Sequence, residues 1–514
     1  MSASGTPDVS YDARTGQARG TFPTTGSAEV RAILEAAAAA APIVATTAPG
    51  VRAEWLLALA DALEEPETKA RLVAVADAET ALGEIRLGGE VSRTAQQLRF
   101  YASVAVEGSY LQVTLDSADA STTPPAPALA RVQVPLGVVA VLGASNFPFA
   151  FGILGNDTAS ALAAGCPVVA KAHPAHPETC RVLAEVAEAA LLSAGAPLGL
   201  WELVSGFDSG TALVQAPEVA AVAFTGSQRG GMALWRQASE REVVIPVFAE
   251  MGTVNPAVVT QLAAALCPEE IAAGFVASFT LGMGQFCTKP GLLLVPSGSP
   301  LPGLVAEALV AAAPRGWLLT EGIAGSYAAG VEELVAAGAE PLAAVAPEDS
   351  ATSAPGGWNA GARVFTVAAS ALTAPSRLTE ECFGPVGLVT EYADPAELEA
   401  ILATLQGTLA ASVMSYGEDD PEVAGLLARL TPLAGRVAVN DWPTGVAFRW
   451  GQQHGGPWPA TTVPSATSVG AAALDRFTRP VTYQSAPDAA LPPALQAANP
   501  WRLPRRLDGV WTPA

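Results

Sequence analysis

The fold is decided by the stretch Pro135-Leu-Gly-Val-Val-Ala-Val-Leu142, an apolar run that leads into the turn Gly143-Ala-Ser-Asn-Phe-Pro148. Residues 158–164 then favour a helix, and Pro167-Val-Val-Ala-Lys171 repeats the pattern of a buried strand. Apolar strands separated by helices are typical of a parallel sheet covered on both faces. The sequence therefore predicts a doubly wound α/β fold around this stretch.

The same alternation continues along most of the chain. Before residue 250, a helix is predicted at 178–194 and further strands at 201–204, 219–224 and 243–248. A second alternating set, from about residue 255 to residue 440, has predicted strands at 291–295, 363–367, 386–390 and 436–439. Gly- and Pro-rich stretches at 346–361 and 440–468 are predicted to be loops. Two α/β domains are therefore expected.

The segments outside these two sets have other patterns. Residues 27–107 are predicted to be mainly helical, with breaks at 46–50 and 88–89. Residues 110–115 and 131–134 alternate apolar and polar side chains, which predicts a long hairpin with a loose tip at 117–127. Residues 479–484 are a predicted short strand, followed by a Pro-rich arm to the end of the chain.

Length, composition and charge exclude several classes of protein. The 514 residues exceed one comfortable core, so two or more domains are expected. With 27 Lys and Arg against 49 Asp and Glu, the net charge is −22. Such a chain repels phosphate backbones and anionic lipid, so neither nucleic acid nor a membrane surface is an expected partner. The 50% of apolar residues indicate a large folded core, not a disordered chain.

The sequence also predicts a location. Residues 132–156 carry no charge, but Pro135, Pro148 and several polar residues favour strand, loop and helix start over one spanning helix. Residues 1–14 lack a basic segment followed by an apolar one, so no secretory signal is expected. Five widely spaced cysteines argue against a disulfide framework and for a reducing compartment. We therefore predict a cytoplasmic protein.

Cys287 is the strongest candidate for reactive chemistry. It lies in Gly282-Met-Gly-Gln-Phe-Cys287-Thr-Lys-Pro-Gly291, where the turns on both sides can expose a thiol near backbone N–H groups. Such a thiol becomes a good nucleophile if its pKa is lowered. The alternative is a small buried residue, and that role is expected for Cys166, Cys180, Cys267 and Cys382.

Glu250 is the candidate general base. It lies in Val247-Phe-Ala-Glu250-Met-Gly252, at the end of an apolar strand, where open α/β sheets place their sites. Partial burial there would raise the pKa of the carboxyl group toward neutrality. A helix-capping or ion-paired glutamate is an equally consistent interpretation.

Three strand-to-helix turns carry further polar groups. Asn146 could donate its amide N–H to a developing oxyanion, or hold the turn before Pro148. Lys171 could reach a phosphate or ribose, or serve as a solubilising charge. The turn Phe224-Thr-Gly226-Ser227-Gln-Arg-Gly-Gly231 could cradle a phosphate at a helix N-terminus, or be only a tight turn.

The histidines and short motifs argue against two other kinds of site. His173 and His176 lie in a Pro-rich turn, and His454 is the third and last histidine. With no CxxC motif either, no metal site is expected. The absence of a GxSxG motif leaves a serine hydrolase without support.

Taken together and in this order, six motifs resemble the aldehyde dehydrogenase superfamily. They are Pro135-Leu-Gly-Val-Val-Ala-Val with Asn146, Lys171, Phe224-Thr-Gly-Ser227, Glu250-Met-Gly252 with Asn255-Pro256, Gly284-Gln-Phe-Cys287, and Glu381-Cys-Phe383-Gly-Pro385. The resemblance extends from about residue 10 to residue 484. Residues 143–149, 157–167, 171–177, 454–461 and 467–470 are most similar to the α-ketoglutaric semialdehyde (2,5-dioxopentanoate) dehydrogenases. Bacterial NADP-dependent fatty-aldehyde dehydrogenases share much of this pattern.

The resemblance implies a role for each motif. Cys287 would attack the aldehyde, Asn146 and the Cys287 backbone N–H would hold the oxyanion, and Glu250 would activate the water that hydrolyses the thioester. The cofactor would be NAD or NADP. The residues implied to bind it are Lys171 and Glu381 at ribose hydroxyls, Gly226, Ser227 and Gly231 along the turn, and Phe383 beside the nicotinamide.

The resemblance also implies a division of the chain. Residues 1–107 and 135–250 would bind the dinucleotide, and residues 251–445 would form the catalytic domain. Segments 108–134 and 475–490 would bridge protomers of a homodimer or homotetramer. Residues 446–474 would be a return loop, and 491–514 a C-terminal arm.

Cofactor preference and substrate follow less directly. NAD-preferring relatives often carry a Glu three residues after the strand lysine, whereas Pro174 occupies that place here, so NADP should be accepted. The expected substrate is 2,5-dioxopentanoate, with Arg449 as the candidate for its carboxylate or else a surface arginine. The alternative is a medium- or long-chain fatty aldehyde in an apolar tunnel formed from Phe147, Phe149, Phe151, Phe286 and Trp442.

Two alternative functions outside the dehydrogenases have weaker support. A cysteine acyltransferase or amidase would need Cys287 and Glu250 but would leave the turn at 224–231 without a purpose. A catalytically silent binding relative would be expected to lose Cys287, Glu250 or Asn146, and all three are present.

Overall fold

A computed structural model describes residues 6–347 and 357–514 of the chain. The part before the first parallel sheet contains a hairpin, four helices and two strands of a separate sheet. They are β1 (Asp8–Tyr11), β2 (Ala18–Phe22), α1 (Ser27–Thr46), α2 (Pro49–Glu64), α3 (Pro66–Thr80), α4 (Glu84–Glu107), β3 (Thr114–Asp116) and β4 (Leu129–Pro135). Within the described ranges, no helix combines the length and the apolar character needed to cross a membrane.

Two predictions for this part are wrong. Helix α4 continues through Gly88 and Gly89, because a helical glycine costs only about 1 kcal/mol and the flanking Leu87 and Val91 are fully buried. The predicted strand 110–115 is a single helical turn at Ser109–Leu111 followed by the short β3. Its residues do not alternate, since consecutive side chains at its start are both buried.

The first parallel sheet confirms the predicted fold class. Its elements are β5 (Val138–Leu142), α5 (Asn156–Ala164), β6 (Val168–Lys171), α6 (Pro177–Ser193), β7 (Trp201–Val204), α7 (Phe207–Gln215), β8 (Val219–Gly226), α8 (Gln228–Ser239) and β9 (Val247–Met251). The described strands lie in the order β7-β6-β5-β8-β9, and all neighbours are parallel. The carboxyl-terminal ends of these strands therefore meet at one edge.

One strand of this sheet is displaced from its predicted position. The sequence predicts a strand at 243–248, whereas β9 begins at Val247. Val243 and Val244 are 70% and 63% exposed. Pairing with β8 starts only at Val222 and Val247, so the β-preference of the two earlier valines finds no partner strand.

A second sheet follows. Its elements are β10 (Pro256–Val259), α9 (Gln261–Leu266), α10 (Pro268–Thr280), β11 (Leu292–Pro296), α11 (Leu301–Ala312), β12 (Arg315–Trp317), α12 (Glu321–Ala336), β13 (Glu340–Ala344), β14 (Asn359–Gly361), β15 (Arg363–Thr366), β16 (Val386–Tyr392), α13 (Pro395–Thr404), β17 (Thr408–Met414), α14 (Val423–Leu430) and β18 (Ala434–Val439). Strands β12 and β14 lie outside the second sheet and pair only with each other within the described residues. The described strands of the second sheet lie in the order β13-β15-β16-β11-β10-β17-β18, and within it only the pair β13 and β15 is antiparallel.

The sequence did not predict the central strands β10 and β17. Strand β10 has only four residues, and β17 mixes Thr408 and Ser412 with small apolar residues although every side chain in it is buried. The predicted loop 346–361 ends in β14, which pairs with β12, and residues 348–356 of that loop lie outside the described residues.

The third sheet joins β3 and β4 to the C-terminal part of the chain. After β19 (Thr478–Gln484), the C-terminal residues form the hairpin β20 (Arg505–Leu507) and β21 (Val510–Thr512). The described strands lie in the order β19-β4-β3-β20-β21, with β20 parallel to β3. The predicted bridging hairpin is thus extended by residues that the sequence analysis treated as an arm.

Candidate active site

The carboxyl-terminal edge of the first sheet gathers three of the predicted residues. Asn146 follows β5, Ser227 follows β8, and Glu250 lies near the end of β9. Thr225 pairs with Glu250, so β8 and β9 end together. Open α/β sheets bind ligands at this edge, and these side chains are therefore placed where a site is expected.

The loop that carries Cys287 is shaped by glycine. Gly282, Met283 and Gly284 have φ values of 55°, 57° and 64°, in the left-handed region that favours glycine. A side chain at Gly284 would collide with the carbonyl of Gly384. This close approach brings the segment with Glu381 and Phe383 beside the cysteine loop.

The side chain of Asn255 is hydrogen-bonded to the backbone of the cysteine loop. Its Nδ2 donates to the carbonyl of Cys287 at 2.8 Å and to that of Lys289 at 3.0 Å. Its Oδ1 accepts from the Thr408 hydroxyl at 2.9 Å, which ties the loop to β17. The position of the thiol is therefore fixed by a buried amide at the start of the second sheet.

Glu250, His454 and Cys287 form a compact cluster. Glu250 Oε1 lies 2.8 Å from His454 Nε2, and that nitrogen lies 3.8 Å from Cys287 Sγ. Ser468 donates its hydroxyl to Glu250 Oε2. One ligand atom from each of the three clustered residues lies within 4.8 Å of the others, an arrangement that could also hold a metal ion. The expectation that no metal binds stays a prediction.

The two ring nitrogens of His454 have different surroundings. Nδ1 is buried and has no hydrogen-bond partner within residues 6–347 and 357–514. Nε2 lies 2.8 Å from the Glu250 carboxylate, so we place a proton on Nε2.

His454 is the functional residue that sequence reasoning missed. It arrives through the loop at 440–468, which folds along the free edge of β9: Met251 N–H donates to the Ala460 carbonyl at 2.9 Å, and Thr462 N–H to the Ala249 carbonyl at 3.2 Å. The residues around His454 contributed only to the resemblance. A single histidine in a Gly- and Pro-rich loop carries no local signal for catalysis.

The ionisation of two groups differs from what the sequence suggested. Burial, with Glu250 and Glu381 nearby, raises the pKa of the Cys287 thiol well above its ordinary value. Burial also acts to raise the pKa of Glu250, but His454 and Ser468 outweigh it, and the net pKa is lowered. The expected rise toward neutrality is therefore wrong for Glu250, because direct donors hold its charge.

Asn146 is partly committed to the protein. Its Nδ2 donates to the carbonyl of Gln285 at 2.8 Å, two residues before Cys287. The backbone carbonyl of Asn146 accepts from Arg86 Nη2 at 2.7 Å. The amide group therefore spans from the loop after β5 to the cysteine loop, and one of its two N–H bonds is left for another acceptor.

The predicted cofactor turn lies at the start of α8. Ser227 caps the helix, and its hydroxyl accepts from the Gly230 N–H at 3.2 Å. A Cβ at Gly231 would lie 2.6 Å from Met251 Sδ, so α8 packs closely on β9. A Cβ at Gly226 would lie 2.6 Å from the Phe224 ring. Glycine is required at both positions by close packing.

Glu381 lies across a cleft from this turn. A side chain at Gly252, two residues after Glu250, would collide with the Glu381 carboxylate. Gln228, Thr253 and Glu381 line a cavity of about 270 Å³, and Lys289 with Glu381 lines a second of about 310 Å³. Burial raises the pKa of Glu381 to about 7, against the attraction of Lys289.

Three other predicted residues are more peripheral. Lys171 ends β6 and packs beside Gly210; burial lowers its pKa, opposed by attraction to Asp8. Phe383 is half-buried in the segment after Glu381. Arg449 is exposed on the loop, which favours the surface-arginine interpretation.

Comparisons with known proteins identify the family of the chain. The chain matches the model of the Aldehyde dehydrogenase family over residues 2–478. It is 43% identical over 462 residues to "Alpha-ketoglutaric semialdehyde dehydrogenase 2" of Azospirillum brasilense, covering 89% of this chain and 85% of that protein. It is 38% identical over 466 residues to "Alpha-ketoglutaric semialdehyde dehydrogenase" of Acinetobacter baylyi, covering 90% and 87%.

A solved aldehyde dehydrogenase structure has the same fold. A mutant of aldehyde dehydrogenase C from Pseudomonas syringae, crystallised with NAD+ and octanal, superposes with a TM-score of 0.80 at 20% identity over 95% of each chain. The family match spans nearly the whole chain and confirms the resemblance that the six motifs predicted. This chain belongs to the aldehyde dehydrogenase family and is an NAD(P)-dependent enzyme that oxidises an aldehyde.

Proposed function

We propose that the enzyme oxidises 2,5-dioxopentanoate (α-ketoglutaric semialdehyde) to 2-oxoglutarate. The observation that carries this proposal is the 43% and 38% identity to two α-ketoglutaric semialdehyde dehydrogenases, over 89% and 90% of this chain. Cys287 is the nucleophile, Glu250 the general base, and Asn146 an oxyanion donor. The geometry of these three residues supports each role.

The first step is activation of the thiol. A raised pKa keeps Cys287 protonated at neutral pH, so a base must take its proton. A carboxylate oxygen of Glu250 lies within 4.8 Å of Cys287 Sγ, and Glu250 stays ionised because its own pKa is lowered. Sγ then attacks the aldehyde carbon, and the carbonyl oxygen of the resulting thiohemiacetal takes the negative charge.

The protein stabilises that charge and later admits water. The second N–H of Asn146 Nδ2 and the Cys287 backbone N–H donate to the oxyanion. A bound NAD(P) would supply the hydride acceptor, and the thiohemiacetal on Cys287 would then become a thioester. Glu250, held by His454 and Ser468, releases the thiol proton to solvent and then takes a proton from water. The hydroxide adds to the thioester carbon, the C–S bond breaks, the acid product leaves as a carboxylate and a proton, and Sγ regains a proton from Glu250.

The residues present fit a dinucleotide. The first N–H groups of a helix lack an intrahelical acceptor, and at α8 the Ser227 hydroxyl takes only that of Gly230. The remaining N–H groups suit a diphosphate. We propose that Lys171 and Glu381 bind ribose hydroxyls, that Gly226 and Gly231 allow close approach along the turn, and that Phe383 flanks the nicotinamide.

NADP acceptance is tested through Lys171. With Pro174 in place of an acidic residue, nothing at that position repels a 2′-phosphate. Lys171→Ala should weaken NADP more than NAD, through loss of a charge-assisted contact of about 1.5–3 kcal/mol. Equal increases in the two Michaelis constants would remove Lys171 from a 2′-phosphate role.

We propose the predicted division of the chain and an oligomer built on its third sheet. The described part of this sheet ends in β19 on one side and β21 on the other, with Val510 66% and Trp511 50% exposed. Such edges favour pairing with a second chain, and we expect a homodimer or homotetramer. A monomeric mass in light scattering would contradict this. The five free thiols support a cytoplasmic location.

A second candidate substrate has its own support. Phe147 lies 5.6 Å from Phe151 and 5.1 Å from Phe286, measured between ring centres, and this aromatic cluster adjoins Cys287. It would suit a medium-chain fatty aldehyde. Phe149 is buried in the core, and Trp442 packs on Phe275, so neither joins the cluster.

Competition between the substrates decides between the two candidates. We expect kcat/KM for 2,5-dioxopentanoate to exceed that for hexanal and decanal, measured by reduction of NAD and NADP. A preference of about tenfold or more for hexanal or decanal would replace the semialdehyde with the fatty aldehyde.

A further inference from the structure

Helix α4 presents three charged residues on the face that packs behind the segment after β5. Arg86, Glu90 and Arg93 are spaced by four and three residues, so they share one side of the helix. Glu90 Oε1 accepts the backbone N–H of Phe149 at 2.9 Å and that of Ala150 at 3.0 Å. The helix therefore fixes the backbone that follows Asn146.

This charged face can accept a second anion. Both guanidinium groups are attracted to the single carboxylate of Glu90, which is 5% exposed and forms no direct ion pair with either arginine within the described residues. Arg86 Nη1 and Arg93 Nε are buried, and no hydrogen-bond partner for either lies among the described residues. Buried polar groups usually have partners, and a buried charge is costly unless it is paired. One added carboxylate would balance the two arginines.

The two arginines have different neighbours. Arg86 donates to the Asn146 carbonyl and lies 5.0 and 5.1 Å from the Phe147 and Phe286 ring centres. Because it holds the residue that donates to the oxyanion, its effect should be the same for every aldehyde. Arg86 is therefore a positioning residue.

Arg93 contacts the aromatic cluster beside the thiol. Its guanidinium lies 5.8 Å from the Phe151 ring centre, and that ring packs edge-on to His454 at 6.0 Å. Its Nη2 donates to the Val446 carbonyl at 2.8 Å, which anchors it beside the loop that carries His454. Burial lowers the pKa of Arg93, opposed by attraction to Glu90 and, when the thiol is ionised, to Cys287.

The length of the proposed substrate suits this position. In 2,5-dioxopentanoate the carboxylate carbon is four bonds from the aldehyde carbon, about 5 Å in an extended chain. A substrate bound at Cys287 can therefore place its carboxylate among the groups around the aromatic cluster, which Arg93 contacts at the Phe151 ring.

We propose that Arg93 binds the carboxylate of the substrate and so selects carboxylate-bearing aldehydes over neutral ones. The inference rests on the proposed function, since it presumes an anionic aldehyde. Arg93 takes the place of Arg449, which is exposed on the loop surface.

The test is substrate discrimination in Arg93→Gln. We compare kcat/KM for 2,5-dioxopentanoate with that for pentanal, which has the same chain length and no carboxylate. The ratio should fall roughly tenfold or more, mainly through KM, because a charge-assisted contact is lost for one substrate alone. Competitive inhibition by the product 2-oxoglutarate should weaken by a similar factor, and this readout works even at low turnover.

Matched variants separate the possible outcomes. Arg86→Gln should lower activity on both aldehydes and leave their ratio unchanged, whereas Arg449→Gln should alter neither. An unchanged ratio and unchanged 2-oxoglutarate inhibition in Arg93→Gln would overturn the role of Arg93. A wild-type enzyme that does not prefer 2,5-dioxopentanoate over pentanal would instead contradict the proposed function, whatever Arg93 does.

Discussion

Two glutamates, the buried Glu250 and the half-buried Glu381, lie near Cys287, and their pKa values move in opposite directions. The pKa of Glu250 is lowered, whereas that of Glu381 is raised to about 7. Burial acts to raise both. The sequence analysis expected a raised pKa at Glu250, whereas the structure has the raised pKa at Glu381.

The difference lies in what each carboxylate touches. Glu250 lies 2.8 Å from His454 Nε2 and accepts from the Ser468 hydroxyl. The strongest attraction on Glu381 comes from Lys289, but Lys289 Nζ donates to the Cys382 carbonyl at 2.9 Å and the Val386 carbonyl at 2.8 Å. A cation committed to carbonyls attracts without donating, and burial then prevails.

The largest expected effect is a complete loss of oxidation with no loss of cofactor affinity. Cys287→Ala should abolish aldehyde oxidation, because the thiohemiacetal and thioester cannot form. The Glu381 side is untouched, so cofactor affinity measured by fluorescence titration should stay at the wild-type value. More than a trace of wild-type turnover in the variant would show that Cys287 is not the nucleophile.

Glu250→Gln should lower steady-state turnover by about 10²- to 10⁴-fold, the usual contribution of a general base. If only deacylation fails, an acyl-enzyme should accumulate and be visible by mass spectrometry of the intact protein. The absence of an acyl-enzyme would not by itself argue against the role, because Glu250 also takes the thiol proton. Unimpaired steady-state turnover would contradict the general-base role of Glu250. Glu240→Gln, on the far end of α8, is the matched control.

The extent to which the sequence predicted this site follows from how each residue reaches it. Asn146, Ser227 and Glu250 stand at or after ends of parallel strands, and such ends meet at one edge, so their grouping was predictable. Glycines marked Cys287. His454 depends on a loop folding along β9, and Arg93 on the packing of α4, and neither is encoded by local spacing. The predicted direction of the Glu250 pKa shift was wrong for the same reason, since His454 and Ser468 reach Glu250 only through the folded loop.

His454→Phe should make Glu250 more like Glu381. Without the Nε2 proton donor, burial would prevail and the pKa of Glu250 would rise. A base with a higher pKa is protonated over more of the acid range, so the acid limb of the kcat/KM profile should move to higher pH, by about one unit or more. Ser468→Ala should shift it in the same direction by less. An unmoved acid limb in both variants would exclude this control of Glu250.

The smallest effect is expected at Glu381, in the pH dependence of cofactor binding. With a pKa of about 7, the Glu381 carboxyl group is mostly neutral below that pH and mostly ionised above it. An ionised carboxylate is the stronger acceptor for a ribose hydroxyl. The Michaelis constant for NAD(P) should therefore fall severalfold as pH rises from about 6 to about 8. In Glu381→Gln it should stay near the acid value at every pH, whereas Glu381→Asp should restore a titration. A wild-type pH dependence that persists in Glu381→Gln would assign the titration to another group and remove Glu381 from the ribose, leaving the contrast with Glu250 a matter of structure alone.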